Sequence, residues 1–188
     1  MSVTLAFATP ADGHVAITVT RAVVAGWTAR DRAAVDHHIA ELAEIGVPPP
    51  STVPLYYRVA ASLLTQEETI EVVGETSSGE AEPVVIADAE GRLWLTVGSD
   101  HTDRALETTS VALSKQVCAK PIGRAAWPLD TLAQRLDGLG LASFVQETED
   151  GDFVPYQRGT LAAIRPLADL IAGCPLAEDG RLPPGTAM

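Results

Sequence analysis

The amino-acid sequence predicts an α+β protein in which strands outnumber helices, folded as one domain over residues 1–188. Two patterns point there. Short runs rich in Val, Ile, Leu, Thr and aromatic residues recur between Gly, Pro and Asp turns. Only a few stretches carry apolar residues at helical spacing. A length of 188 residues with 46% hydrophobic content suffices for a packed core without metal or disulfide support.

Taken in order, Val3 to Phe7 and His14 to Thr20 read as two strands joined by the turn-forming Pro10-Ala11-Asp12-Gly13. Ala22 to Gly26 is a short apolar segment that stops at Trp27-Thr28. Thr28 or Asp31 then caps a helix over Arg32 to Ile45, with Ala34, Ile39, Leu42 and Ile45 as its apolar face. Gly46 ends that helix, and Val47-Pro48-Pro49-Pro50 prevents its continuation because proline lacks the N–H a helix needs. Leu55 to Val59, Thr69 to Val73, Ala81 to Ala87 and Leu93 to Val97 read as short strands. Ala105 to Lys115 fits either a helix or an extended run, Leu129 to Asp137 fits a helix, and Ser143 to Glu147 fits a strand before the turn Glu149-Asp150-Gly151-Asp152. Leu161 to Ala172, with Pro166 inside it, reads as one helix or two short ones. Arg181 to Met188 closes on an apolar residue after a turn signal, so the chain is expected to stop before the fold does.

Bulk properties narrow the function classes. A formal net charge of −12 argues against a nucleic-acid or anionic-membrane surface, both of which need a basic patch. Cys118 and Cys174 lie in unlike surroundings without the paired spacing of a disulfide framework or zinc motif, which fits buried thiols in a reducing compartment. The N-terminus lacks a basic segment followed by a long apolar run, and no apolar stretch approaches the roughly 20 residues of a membrane span. The expectation is a cytoplasmic protein that acts on a small molecule, with neither nucleic acid nor membrane as partner.

Glu80 and Glu82 stand two apart in a predicted strand, so both carboxylates leave the same face. Two such charges repel unless a cation sits between them or one is protonated; the alternative is a solvated strand edge. Asp100 follows the alternating run Leu93 to Val97 and Gly98-Ser99, where a strand gives way to a turn. Three carboxylates from two segments form an all-oxygen site suited to Mg²⁺ or Mn²⁺. Against that, Ser99 or Asp100 would serve equally as the cap of a helix over Thr102 to Ser110. Asp103 and His101 lie within reach of the same turn as alternative ligands. His38 and Glu41, three apart on one helix face, have the spacing of a carboxylate-oriented general base, and equally of a surface pair. His37 replaces His38 only if the helix is rotated by about 100°. Lys120 is placed to stabilise an oxyanion or a substrate carboxylate, with Lys115 as its competitor.

Together these pieces resemble the fumarylacetoacetate hydrolase superfamily. The elements run in order: His38-x-x-Glu41, Pro48-Pro49-Pro50 with Pro54-Leu55-Tyr56-Tyr57, Glu80-x-Glu82, Asp100 with Arg104, and Lys120. They cover roughly residues 20 to 130. Thr28-Ala29-Arg30-Asp31 is closer to the superfamily's Ser-Ala-Arg-Asp wording than the Asp100 segment is, but it precedes Glu80 and has no lysine at the right distance. The sequence departs from the pattern in the short interval between Glu82 and Asp100 and in Gly98-Ser-Asp-His-Thr-Asp-Arg104. It departs again at Leu182-Pro183-Pro184-Gly185, after which family members continue into further strands.

The resemblance implies a mixed β-roll or β-sandwich with a few peripheral helices, in a branch whose C-terminus is shortened. It implies Glu80, Glu82 and Asp100 as ligands of Mg²⁺ or Mn²⁺, and His38, Glu41 and Lys120 as catalytic groups. Arg104 and Tyr57 are implied as substrate contacts, in a homodimer. The implied reaction is hydrolysis of a carbon–carbon bond in a 2-oxo acid or acylpyruvate-like compound. The alternatives on the same scaffold are a lyase (decarboxylase or hydratase) and a non-catalytic small-molecule binder.

Overall fold

The computed structural model describes residues 1–10, 13–44 and 46–188. Strands β1 (Val3–Thr9), β2 (Gly13–Val19) and β3 (Arg21–Gly26) lead into helix α1 (Arg32–Glu44). Then come β4 (Leu55–Val59), β5 (Leu64–Thr65), β6 (Ser77–Ser78), β7 (Ala81–Ala87) and β8 (Leu93–Ser99). After them lie β9 (Thr102–Asp103), α2 (Arg104–Glu107), α3 (Val111–Gln116), β10 (Lys120–Pro121) and β11 (Trp127–Pro128). The chain closes with β12 (Gly140–Gln146), β13 (Phe153–Thr160), α4 (Leu167–Gly173) and β14 (Thr186–Ala187). The β-rich α+β class is as predicted.

A six-stranded mixed sheet in the order β11-β8-β7-β14-β3-β4 is the frame. Side chains alternate across it, and so do the two cores. Ala22, Ile86 and Trp94 point to one face, where the β1–β2 hairpin covers them with Leu5, Phe7, Ile17 and Val19. Val23, Val85, Ala87 and Leu95 point to the other, against Leu161, α4 residues Leu167, Leu170 and Ile171, and Leu182. The tail, expected only to lead towards a further strand, is itself the central strand. β14 runs parallel to β3 and antiparallel to β7, and Met188 exchanges backbone hydrogen bonds of 2.8 and 2.9 Å with Val85.

Several expectations need correction. Thr69 to Val73 is not a strand: it finds no partner, and Val72 and Val73 are exposed. Leu129 to Asp137 is not a helix but two 3-10 turns, Leu129–Leu132 and Leu136–Gly138, which still press Leu129, Leu132 and Leu136 onto the core. Ala105 to Lys115 resolves into α2 and α3, capped by Asp103 and Ser110, so neither Ser99 nor Asp100 is a cap. On α1 the inward residues are Val35, Ile39 and Leu42, whereas Ala34 is exposed. Ile45 and turn positions 11 and 12 fall outside the described residues. Asp31 takes the capping role at α1, its Oδ1 accepting from the Ala33 N–H at 2.9 Å. Arg30 makes a fork to Asp137 at 2.7 and 3.0 Å, which gives the Thr28-Ala29-Arg30-Asp31 stretch a structural task.

Candidate active site

The site grows from the register of β7 and β8. Glu82 lies opposite Gly98, and two residues further along each strand the Asp100 N–H donates to the Glu80 carbonyl at 2.9 Å. Residues opposite each other in an antiparallel pair share a face, and so do residues two apart. Glu80, Glu82 and Asp100 therefore emerge together from the end of the hairpin. Gly98 makes the approach possible. A Cβ there would lie 2.7 Å from Val84 Cγ2 and 3.0 Å from Ile122 Cδ1, so a side chain would push away the segment that follows Lys120.

Two lysines converge on Asp100. Lys115 comes from α3, and its ammonium donates to Asp100 Oδ2. Lys120 comes from β10, which pairs in parallel with β5; its ammonium donates to the His101 carbonyl and lies 3.3 Å from Asp100 Oδ1. All three residues are buried. Arg104, implied as a substrate contact, has its guanidinium engaged elsewhere. Its Nη2 meets Glu80 Oε1 at 3.0 Å, its Nη1 meets Glu107 Oε2 at 3.1 Å, and its Nε donates to Ser78 Oγ at 2.7 Å. Glu107 was not foreseen; its one signal in the sequence is the i,i+3 spacing from Arg104.

The electrostatics follow from this crowding. Burial, then the charges of Glu80 and Asp100, push the Glu82 carboxyl up to about 8, with Lys115 opposing. Burial lowers the Lys120 pKa while Asp100 raises it. Burial, Lys120 and Arg104 lower His101, which keeps its ring neutral at pH 7. With Glu82 protonated, the carboxylates Glu80, Asp100 and Glu107 balance the cations Lys115, Lys120 and Arg104.

A cavity opens beside this cluster between β3 and β7. Glu82, Ser99, Asp100 and Lys120 form its polar end, and Val23, Val59, Leu64, Ile122 and Leu167 are among its apolar walls. Tyr57 stands close by, its ring centroid 5.8 Å from Lys115 Nζ and its hydroxyl accepting from Trp27 Nε1 at 3.2 Å. Trp27 takes φ +61°, a left-handed conformation that costs a bulky residue about 1–3 kcal/mol. That conformation aims its indole between Tyr57 and the His38 ring, whose centroid is 5.5 Å away. His38 and Glu41 themselves are exposed on α1, 3.6 Å apart, and line no part of the cavity. Glu41 is also 3.3 Å from His37 Nε2.

Whether the carboxylates suit a divalent cation is decided by their donors. Asp100 Oδ1 is buried without a hydrogen bond, and Glu82 retains a proton that an ordinary glutamate would have lost. A hard dication would give Asp100 Oδ1 a partner and Glu82 the counter-charge it needs to ionise, so the oxygen set fits Mg²⁺ or Mn²⁺ in its chemistry. As they stand, Lys115 and Arg104 occupy Asp100 and Glu80. Among the described residues, no group of three or more His, Cys, Asp or Glu side chains is arranged to hold a metal ion.

Residues 25–188, which include every candidate above, match the family described as "Protein of unknown function (DUF2848)". The chain belongs to that family. No curated protein matches the sequence of this DUF2848 member. Solved structures supply its fold relatives. A crystal structure of Cg1458 with inhibitor superposes with a TM-score of 0.64 at 17% identity, over 90% of this chain and 65% of that one. The apo form of 2-keto-3-deoxy-D-arabinonate dehydratase gives 0.64 at 18% identity, over 90% and 60%. The DUF2848 chain thus spans just under two thirds of these two relatives, and at such identities the likeness is one of fold. The fumarylacetoacetate hydrolase-like architecture expected from the ordered motifs is the architecture observed. Among the described residues, no helix is long and apolar enough to cross a membrane.

Proposed function

We propose that this DUF2848 protein is an enzyme that processes a small 2-oxo acid, and that it works as a lyase adding or removing water next to the oxo group. The observation that carries the reading is the convergence of Glu82, Asp100 and Lys120 on the polar end of one cavity, with Glu80 beside them through its backbone bond to Asp100. A dehydratase among the fold relatives favours the lyase over the carbon–carbon bond hydrolase that the motifs first suggest.

Glu80, Glu82 and Asp100 would hold Mg²⁺ or Mn²⁺, which when bound supplies Lewis-acid polarisation of a 2-oxo carboxylate. The remaining tasks fall to the chain's own groups. Lys120, fixed by the His101 carbonyl, presents Nζ to negative charge that develops on the substrate. Because burial lowers its pKa, Nζ also gives up a proton more readily than a surface lysine does. The apolar walls exclude bulk water and strengthen both effects.

The test is incubation of the purified protein with a series of 3-deoxy-2-oxo acids and Mn²⁺, followed by product mass. Loss or gain of one water is expected, and Glu80→Gln should abolish it while leaving the far-UV circular dichroism unchanged. Two cleaved fragments would restore the hydrolase reading, and full activity in Glu80→Gln would remove the site from the reaction. Native mass checks the homodimer expected from the resemblance.

A further inference from the structure

Lys115 is the buried charge that the proposed reaction leaves without a task. It belongs to α3, five positions before Lys120, and its side chain is only 7% exposed. An ammonium taken out of water is retained in a fold only when a partner compensates it. Its ion-pair partner is Asp100, through Oδ2. Lys120 differs, because the His101 carbonyl holds its ammonium independently of Asp100. Lys115 also has a second place to rest: the face of the Tyr57 ring, 5.8 Å from Nζ, attracts cations.

Asp100 is one of the three carboxylates assigned above to a divalent cation. An ammonium on one of its oxygens and a dication on the other would repel at close range with little water between them. We propose that Lys115 is a built-in counter-ion that competes with a divalent cation for the Asp100 carboxylate, so that loading the site requires the ammonium to leave Asp100. The inference rests on the carboxylate site described under the proposed function. It gives the Asp100 carboxylate a resident counter-ion, and it makes metal affinity a property set by a residue that is not a ligand. Removing the Lys115 charge should tighten metal binding, whereas removing a structural or ligand-supporting residue should weaken it.

The experiment is calorimetric titration of Mn²⁺ into the wild type, Lys115→Met and Lys115→Gln, with melting temperatures measured with and without Mn²⁺. Both variants should bind Mn²⁺ tighter than the wild type by about tenfold or more. Without metal both should melt below the wild type, and Mn²⁺ should raise their melting temperatures by more than it raises that of the wild type. Lys115→Gln keeps a hydrogen-bond donor for Asp100, so it reports even if Lys115→Met does not fold. Recovery of the folded far-UV spectrum of Lys115→Met on adding Mn²⁺ would also support the proposal. Wild-type binding with equal or weaker binding in both variants overturns the proposal and leaves the carboxylate site standing. Binding in the variants alone supports the proposal and shows that the wild-type site does not load. Absence of binding in all three overturns both.

Discussion

The carboxylate end of the β7–β8 hairpin and the outer face of α1 carry similar residues in opposite surroundings. Around Asp100, Lys115 and Lys120 the side chains are 4–8% exposed. His38 and Glu41 on α1 are 57% and 58% exposed. An exposed pair competes with water and salt and contributes about 0–1 kcal/mol. A buried charge that loses its partner costs about 3–5 kcal/mol. Both sets arose from short motifs of comparable weight in the sequence, yet burial gives one set coupled charges and leaves the other solvated.

The sharpest way to break that comparison is Asp100→Ala. It strands Lys115 in the interior and takes from Lys120 its neighbouring anion, so stability should fall by about 3–5 kcal/mol in a denaturant titration. A loss below about 1 kcal/mol would mean that the two regions do not differ as argued. Glu82→Gln tests the same surroundings through pH. The Glu82 carboxyl sits at about 8 in the folded protein against an ordinary 4.5, so the folded state holds a proton there that the unfolded chain has released. Its contribution is therefore complete below the lower value, is lost as pH rises through the window, and levels off above the upper one. In metal-free buffer the variant should gain on the wild type across that window by on the order of a few kcal/mol. A flat difference would remove the coupling.

Gly98→Ala probes the backbone approach instead of the charges. Its Cβ would collide with Val84 and Ile122, and overpacking of this kind costs about 1–3 kcal/mol. The smallest effect belongs to the other region: His38→Ala and Glu41→Ala should each change stability by less than about 0.5 kcal/mol. Unchanged stability with a large fall in turnover would give α1 a part in the reaction and sharpen the comparison into one between a fixed and an exposed half of the site.

What was legible in the sequence follows from how local its cause is. Strands such as Leu55–Val59 and Ala81–Ala87 declare themselves by composition, and the shared face of Glu80 and Glu82 is a consequence of strand geometry. Lys115 had the rank of a rival to Lys120 because its direction is set at a distance: Ser110 caps α3, and only the folded chain brings that helix over Asp100. Thr69 to Val73 has the composition of a strand, but composition does not provide a partner. Phe153–Thr160 was hidden by Pro155, which the sheet accommodates at a register shift opposite Ser143 and Phe144. The engagement of Arg104 by Glu80 and Ser78 joins residues from opposite sides of β7 and β8, a distance at which spacing in sequence carries no information.

The central placing of β14 bears on how the molecule is made. Thr20 Oγ1 donates to the Gly185 carbonyl, closing a contact across 165 positions, and β3 and β7 meet in the sheet only through the strand that follows. During synthesis both flanking strands leave the ribosome long before their shared partner. Until it arrives each exposes an unpaired edge, and closing so long a loop is entropically slow. The interval between translation of β7 and translation of β14 is when the open edges of this chain are most exposed to pairing with other chains.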